Sequence, residues 1–552
     1  MSVQSTIYFH PEAYTISGPQ LMGRNAAGNS FLKGYVSHSK SPSFAALVEQ
    51  PAHGADLIAL VGGFNDPRPV KAYAWGAIEQ VRGSTLYLPM PDLSEFAWRR
   101  EHLGSSAFSL CGITHTTASA GVMDAICAWL SSPVQAWDAV ICTSQVVKQT
   151  IELVLAEQLE FLRRRFAFSG DIASPQLPVI PLGINAKDFV FTDADKKLSR
   201  QTLGISDDAV VILFAGRLSF HAKAHPLAMY QAIKRAAKDK QVVLIECGWF
   251  ANEHIEQAFQ DAFNLVCPGI KRIVLDGRQI QDRKLAWSSA DIFCSLSDNF
   301  QETFGLTPLE AMAAGLPVVV SDWNGYRDTV RDGIDGYRVP TCQPPPGMGE
   351  DLAFRHAANI DTYDVYCGLT SQLVAVDIAA TERALTGLID NPALRKQMGN
   401  AGQFRARQDF DWAVIIPRYE ALWAELNALR ASHEAGKEGG MPHKRPMRLD
   451  PFTLFESYPT RTLRAQDLVM LSPHYFSAQS AYQRLLELRA LKMVQFGEFA
   501  QLSSADCNTI FQFLEGGAKL VGQIVALGSP EMRMRIHRAL VWLMKLGLIQ
   551  LS

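Results

Sequence analysis

From the first residues to about residue 430, short apolar runs alternate with longer segments whose apolar residues recur at helical spacing. The runs that predict strands are residues 2–9, 57–61, 139–143, 179–181, 209–215, 242–246, 272–275, 292–295 and 318–320. Helical patterns lie between several of them, for example at residues 148–165 and 226–238. This alternation is typical of βαβ units, so we expect an α/β fold with parallel sheets that carry helices on both faces.

The pattern pauses near residues 182–185 and restarts with a new strand after Gly204, which predicts two doubly wound, Rossmann-like lobes. We assign residues 1–187 to the first lobe and 188–430 to the second, and expect the last helix, about 411–430, to cross back to the first lobe. A ligand is expected in the cleft between the lobes, at the carboxyl ends of the strands. Residues 341–370 predict a long loop, for which a lid and a plain surface insertion are both open.

The end of the chain has a different pattern. Residues 431–446 include a glycine-rich stretch and predict a flexible linker. Residues 447–552 show helical periodicity, and the last helical pattern, 530–546, is followed by Gly547 and a short apolar end, which is similar to a winged helix. Arg533, Arg535 and Arg538 lie on that helix, but such arginines usually form a solvated face, so nucleic-acid binding is disfavoured. We expect this accessory domain to dock a protein partner or to self-associate.

Composition narrows the class of protein. The chain has 552 residues, a net charge of −3 and 48% hydrophobic residues, so we expect a multidomain globular protein without an overall attraction to nucleic acid or anionic membranes. Nine scattered cysteines without a CxxC spacing favour reduced thiols and a cytoplasmic protein. We see no pattern of a secretory signal and no apolar run long enough to span a bilayer, so membrane contact is expected to be at most peripheral, at the inner face.

One stretch suggests chemistry. Residues 299–320 read NFQETFGLTPLEAMAAGLPVVV, in which Glu302 and Glu310 flank a glycine turn before a short helix. Thr307 and Glu310 have the spacing of a capping box, which would explain Glu310 but not Glu302. Gly305 lets backbone amides approach a ligand, and the free N–H groups of a helix start favour phosphate. The two carboxylates would accept hydrogen bonds from the hydroxyls of two sugars, so the stretch favours a nucleotide sugar as ligand.

This stretch resembles the retaining glycosyltransferases of family 4, which have the GT-B fold and place two glutamates, with seven residues between them, ahead of a small-residue helix and a PVV strand. Other segments match in the order of that family: VICTS at 140–144, VIPLGIN at 179–185, FAGRL at 214–218, DGR at 276–278, ADIF at 290–293 and DGIDGY at 332–337. The resemblance implies a GT-B fold and an enzyme that transfers a hexose from a nucleotide-diphosphate sugar to an acceptor hydroxyl with retention of configuration. Such an enzyme is expected in glycan or polysaccharide biosynthesis.

In the family, a basic pair of the second lobe holds the donor diphosphate, and the matching residues here are Arg217 and Lys223. The match has two departures, because one extra residue separates the pair and Ala224 replaces the usual glycine. Two solvated surface charges are the alternative interpretation. By the same resemblance, Glu310 would hold the ribose and Glu302 would contact the transferred sugar.

The resemblance also implies roles for backbone groups. The amides near the sugar and phosphate would be those of Phe304, Gly305, Leu306 and Thr307. The backbone around Arg278 and Ile280 would meet the nucleobase. In the first lobe, residues 17–30 correspond loosely to the glycine-rich loop of the family, so Gly23 and Gly28 would approach the diphosphate; a flexible loop without ligand is the alternative.

His115 follows a short apolar strand, where the family often keeps a histidine that contacts the transferred sugar; a purely structural histidine is the alternative. No acidic pair stands where it would bridge a metal to the diphosphate, so we expect no metal and no other cofactor. The acceptor, a glycan, a lipid-linked molecule or a protein, would bind the first lobe. A disaccharide synthase or phosphorylase of the same fold and a catalytically silent, ligand-sensing scaffold remain alternative functions.

Overall fold

The computed structural model describes residues 5–15, 23–434 and 445–552. The chain divides into two compact units, Met1–Lys444 and Arg445–Ser552. The first unit contains two α/β lobes, each built on a six-stranded sheet. The expected linker, residues 431–446, falls mostly outside the described residues, as do residues 2–4 of the first strand run and much of the 17–30 loop.

The first lobe carries a wholly parallel sheet in the order β3-β2-β1-β4-β5-β6. Its strands are β1 (Ser5–Phe9), β2 (Phe44–Val48), β3 (Val70–Ala74), β4 (Thr85–Tyr87), β5 (Ser109–Ile113) and β6 (Ala139–Ile141). Its helices are α1 (Pro11–Tyr14), α2 (Gly23–His38), α3 (Pro51–Gly62), α4 (Ser94–Arg100), α5 (Ala120–Ala128) and α6 (Gln145–Phe166). All strands except the edge strand β3 are almost fully buried, as expected for a sheet covered by helices on both faces.

The second lobe carries a parallel sheet in the order β12-β11-β10-β7-β8-β9. Its strands are β7 (Val210–Ala215), β8 (Val242–Gly248), β9 (Lys271–Asp276), β10 (Ile292–Ser295), β11 (Val318–Ser321) and β12 (Gly336–Val339), with the antiparallel pair β13 (Thr341–Cys342) and β14 (Ala375–Val376) beside them. Its helices are α7 (Asp193–Thr202), α8 (Leu227–Ala237), α9 (Glu253–Val266), α10 (Ile280–Ser289), α11 (Leu306–Ala313), α12 (Tyr326–Thr329), α13 (Glu350–Ala357), α14 (Tyr363–Ser371), α15 (Ile378–Asp390), α16 (Pro392–Asp409) and α17 (Trp412–Glu434).

Helix α17 leaves the second lobe and packs against the first. Arg430 donates to the carbonyl oxygen of Ser84 at 2.8 Å, and Trp412 donates to Ser30 Oγ at 2.8 Å. The helix also supplies aromatic rings that pack with rings of the first lobe, the set being Phe31, Tyr35, Tyr87, Trp412, Tyr419 and Trp423. These rings are almost fully buried, so α17 is part of the core of the first lobe.

The α/β class and the two-lobed fold are confirmed, but several elements differ from the predicted ones. Residues 57–61 lie in helix α3, because Pro51 occupies its first turn and Leu57 and Val61, one turn apart, face the core. Residues 179–181 form only an isolated bridge from Val179 to Cys142. Strands β2, β3 and β4 were not among the predicted strands, although β2 reads as the apolar run FAALV. The 341–370 segment is not a bare loop, since it contains α13 and part of α14.

The second unit is mainly helical, with a three-stranded antiparallel sheet in the order β16-β15-β17. Its elements are α18 (Pro451–Leu454), β15 (Leu468–Leu471), α19 (Ala478–Arg489), α20 (Lys492–Gln495), α21 (Ser504–Leu514), β16 (Lys519–Leu520), α22 (Val521–Val525), α23 (Arg533–Lys545) and β17 (Ile549–Leu551). The predicted final helix and the strand after Gly547 are present. Strands β15 and β16 correct the expectation of helices only. None of the helices in the described ranges is long and apolar enough to cross a membrane.

Candidate active site

The second sheet changes the direction of its strand order between β7 and β10, which are neighbours although two strands separate them in sequence. The loops that follow such a pair diverge to opposite sides and leave a crevice at the carboxyl edge of the sheet, where α/β proteins bind ligands. Gly216 and Arg217 follow β7, and residues 296–305 follow β10. Chain order and sheet order therefore bring the FAGRL and NFQETFG segments to one crevice.

Lys223 and Glu302 form an ion pair in this crevice. Their side chains are only 20% and 11% exposed, respectively. Burial favours the neutral form of Glu302, but the charge of Lys223 and hydrogen bonds from the amides of Phe304 and Thr303 outweigh it and lower the pKa of Glu302. Burial likewise opposes the charge of Lys223, and Glu302 more than offsets it, so the pKa of Lys223 is raised. Both groups are charged at neutral pH.

Arg217 lies beside this pair. Its guanidinium donates to the carbonyl oxygen of Ala222 at 3.0 Å and to Oε1 of Gln301 at 3.4 Å. The positive charge of Arg217 acts against the rise in the pKa of Lys223. The two cations are therefore close enough to interact. A site with two neighbouring cations is suited to a diphosphate.

Helix α11 begins two residues earlier than the capping box requires. Gly305 is its N-cap, with a φ of +84° and no side-chain cap, and Leu306 is the first helical residue. A Cβ on residue 305 would lie 2.0 Å from the ring of Tyr326, so only glycine fits there. Within the described part of the chain, Thr307 Oγ1 is buried without a hydrogen-bond partner. The predicted capping box is therefore wrong, and the amides at the start of α11 are not used by a side-chain cap.

Because Glu310 does not cap the helix, its carboxylate needs another explanation. Burial raises the pKa of Glu310 to about 7, although the positive charges of Arg283 and Lys223 act in the opposite direction. A carboxylate kept poorly solvated in a crevice is a candidate functional group, because a ligand that donates hydrogen bonds to it would replace the missing water. Arg283, on α10, was not among the predicted site residues.

The first lobe contacts this crevice through the loop after β10. Thr303 Oγ1 donates to the carbonyl oxygen of His115 at 3.0 Å, and Ser144 Oγ donates to the carbonyl oxygen of Thr303 at 3.0 Å. His115 follows β5, and Ser144 caps α6. The structure thus brings the backbone of His115 to the segment that carries Glu302.

Other predicted residues lie farther from the ion pair. Arg278 and Ile280 follow β9, at the carboxyl edge and two strands from β7. The Arg278 side chain pairs with Asp276 at 2.9 Å and Ile280 is 70% exposed. The contact of this backbone with a nucleobase stays a prediction.

The predicted loop around the first-lobe glycines needs a correction, whereas their approach to a diphosphate stays a prediction. Gly23 is the first residue of α2, and Gly28 lies inside that helix rather than in a loop. A Cβ on residue 28 would come within 2.1 Å of the carbonyl oxygen of Ala13. The packing of α2 against α1 explains Gly28 without a ligand.

Sequence reasoning missed a polar cluster in the loop after β10. Ser297, Asp298 and Asn299 are almost fully buried, and burial raises the pKa of Asp298 to about 7. Gln301 and Tyr326 complete the surroundings of the cations, and Tyr326 donates to Glu302 at 3.5 Å. The signal in the sequence was the polar run SDN at residues 297–299, which comes one residue after the end of the buried strand β10.

The fold and this crevice define a class: two Rossmann-like lobes with the crevice at the carboxyl edge of the second sheet are the architecture of GT-B proteins. A glycosyltransferase from Rickettsia africae of known structure shares this fold, with a TM-score of 0.51 and 12% sequence identity over 77% of this chain and 98% of that chain. Residues 209–352 match the family of glycosyl transferases group 1. The resemblance drawn from the motifs is thereby confirmed.

Curated relatives are similar to part of the chain. The D-inositol 3-phosphate glycosyltransferase of Geodermatophilus obscurus is 33% identical over 176 residues, which are 30% of this chain and 37% of that protein. The phosphatidyl-myo-inositol mannosyltransferase of Mycobacterium leprae is 32% identical over 139 residues, which are 25% of this chain and 28% of that protein. The chain thus aligns with well under half of the length of these two relatives.

Proposed function

We propose that the protein is a glycosyltransferase that moves a hexose from a nucleotide-diphosphate sugar to an acceptor hydroxyl with retention of configuration. The observation that carries this proposal is the convergence of Arg217, Lys223, Glu302 and the start of α11 on one crevice. Two cations and free helix amides suit a diphosphate, and two carboxylates suit the sugars on either side of it. The family match of residues 209–352 supports the same activity.

In the proposed reaction, the bond between the anomeric carbon and the diphosphate oxygen breaks, and the bonding electrons leave with the diphosphate. Arg217, Lys223 and the α11 amides stabilise the negative charge that develops there. Glu302 and Glu310 accept hydrogen bonds from sugar and ribose hydroxyls. The acceptor hydroxyl attacks the same face of the sugar, and its proton passes to the departing phosphate oxygen, so no protein base is required.

We expect turnover to be independent of divalent metal, because the cations and helix amides supply the charge that a metal would otherwise supply. Activity should survive EDTA without added Mg²⁺ or Mn²⁺. Loss of activity on chelation, with recovery on adding either ion, would contradict this expectation.

The test of the function is release of the nucleoside diphosphate from a panel of UDP-, GDP- and ADP-sugars, measured with and without acceptor alcohols. D-inositol 3-phosphate belongs in the acceptor panel, because one relative is named for it. The anomeric configuration of the product, read by NMR, tests retention. If no donor is bound or cleaved under any condition, the chain is a silent scaffold and the proposal fails. The cellular location and any peripheral membrane contact stay predictions.

A further inference from the structure

The segment that carries Lys223 is held by side chains of one neighbouring loop. Asn299 Nδ2 donates to the carbonyl oxygen of His221 at 2.8 Å, and Gln301 Nε2 donates to the carbonyl oxygen of Ala222 at 2.7 Å. Ser297 Oγ donates to the carbonyl oxygen of Lys223 at 3.1 Å. Three successive carbonyl groups of the Lys223 segment are thus bonded by three side chains of the loop after β10.

The same loop also holds the far end of the segment and the other cation. Asp298 accepts a hydrogen bond from the backbone N–H of His225 at 3.2 Å. Gln301 Oε1 accepts from Arg217, so one amide bridges Arg217 and the segment that carries Lys223. The loop is itself anchored, because Asn299 Oδ1 accepts from the backbone N–H of Gln301 at 3.0 Å. Trp323 Nε1 donates to the backbone carbonyl oxygen of Asn299 at 3.1 Å.

This arrangement bears on the extra residue between Arg217 and Lys223. A longer connection has more conformations available, and without anchors the Lys223 side chain would be distributed over them. The bonded carbonyls lie at the end of this lengthened connection, residues 221–223. These hydrogen bonds therefore restrict the backbone next to Lys223, where extra conformations would displace its ammonium group.

We propose that Asn299 and Gln301 are positioning residues, whose side-chain amides fix the lengthened 218–222 connection and so place Lys223 and Arg217 for one diphosphate. The proposal rests on the proposed function as far as the diphosphate is concerned. The hydrogen bonds that hold residues 219–225 are present without a ligand.

The experiment uses the full chain with Asn299→Asp and Gln301→Met, which keep the approximate size of each side chain and remove its N–H donor. Asn264→Asp and Gln257→Met, on the exposed face of α9, are the matched controls. Two quantities are measured: amide hydrogen exchange of residues 219–225 without ligand, and the Kd for UDP and for GDP. We expect exchange at 219–225 to rise about tenfold or more with strands β7 and β8 unchanged, and the Kd to rise about tenfold.

A third variant separates positioning from a direct contact. In a Lys223→Met background, Asn299→Asp should weaken nucleotide binding by less than about twofold, because the group it positions is already gone. Unchanged exchange at 219–225 would overturn the proposal, and so would faster exchange with unchanged Kd, or faster exchange throughout the lobe. If the parent protein binds neither nucleotide and cleaves no sugar of the UDP, GDP and ADP panel, the proposed function fails, and the exchange data alone decide whether the two amides hold the segment.

Discussion

The two lobes of the first unit have the same strand order but different crevices. In the first lobe the order reverses between β1 and β4, and in the second between β7 and β10. In the first lobe the residue after β1 is His10, whose ring accepts from the Glu12 N–H at 3.3 Å and caps α1. In the second lobe Gly305 caps α11 through its backbone alone. The strand order thus places a crevice in each lobe. The second crevice is the better candidate site, because the amides at the start of its helix α11 have no side-chain cap.

The largest expected effect comes from removing a charge of the second crevice. Glu302→Ala and Arg217→Ala should each lower the turnover of the nucleotide sugar at least about a hundredfold, since each removes a charged contact near the transition state. Steady-state release of the nucleoside diphosphate measures this. Arg235→Ala, an exposed arginine of the same lobe that pairs loosely with Glu382, is the control and should change the rate less than about twofold. Near-normal rates in either site variant would contradict the assignment of the second crevice as the active site.

The helix start gives the next effect. Gly305→Ala should lower the free energy of unfolding by about 2 to 4 kcal/mol, because the new Cβ meets the Tyr326 ring and the backbone is left-handed. Gly333→Ala is matched to it, with a φ of +72° and nothing within 4 Å of its Cβ, and should cost about 1 kcal/mol. Urea unfolding compares the two. Equal losses would show that contact with Tyr326 does not shape this helix start.

The Glu310 carboxylate of the second crevice should make the free energy of unfolding depend on pH. The pKa of Glu310 is raised to about 7 from its ordinary 4.5, so the folded state holds a proton that the unfolded state releases, and the stability linked to it is lost as pH rises from 4.5 to 7. Glu310→Gln cannot lose that proton. It should therefore stabilise the free protein by about 1 to 3 kcal/mol at pH 8 relative to its effect at pH 4. A constant difference in unfolding free energy across this pH range would contradict the assignment.

The smallest effect is expected in the first lobe. His115→Ala should reduce turnover about fivefold, the size of one neutral hydrogen bond to a sugar hydroxyl, with little change in unfolding free energy. The bond from Thr303 to His115 uses the backbone oxygen, which the substitution keeps. A loss as large as that of Glu302→Ala would show that the first lobe carries as much of the chemistry as the second.

The sequence predicted the second lobe better than the first for a physical reason. Strands β7, β8, β10 and β11 are buried throughout, and each contains an uninterrupted apolar run: VVILFA, VVLI, IFC and VVV, respectively. Strand β3 is an edge strand with exposed positions, and β4 has three residues, so neither forms such a run. The strand predicted at residues 57–61 was wrong, because over five residues the apolar pattern of a buried helix cannot be told from that of a short strand.

The site shows a similar division. Glu302 and Glu310 were named from their places around a glycine turn and from the family resemblance, and Arg217 and Lys223 were named from that resemblance alone. Asn299 and Gln301 were missed because their partners are backbone carbonyls of a distant segment, which no local pattern reveals. The predicted capping box was wrong because Gly305, with Tyr326 packed against it, caps the helix two residues before Thr307. Such differences depend on tertiary contacts, which override local preference.

The passage of α17 across the first lobe has a consequence for how the protein is made. Trp412, Tyr419 and Trp423 complete an aromatic cluster whose other members lie within the first ninety residues. During synthesis the amino-terminal sheet therefore emerges long before the helix that covers its aromatic face, and that lobe cannot finish folding until residues beyond 423 have left the ribosome. Each newly made molecule passes through a stage in which this apolar face is open, a natural binding surface for a chaperone.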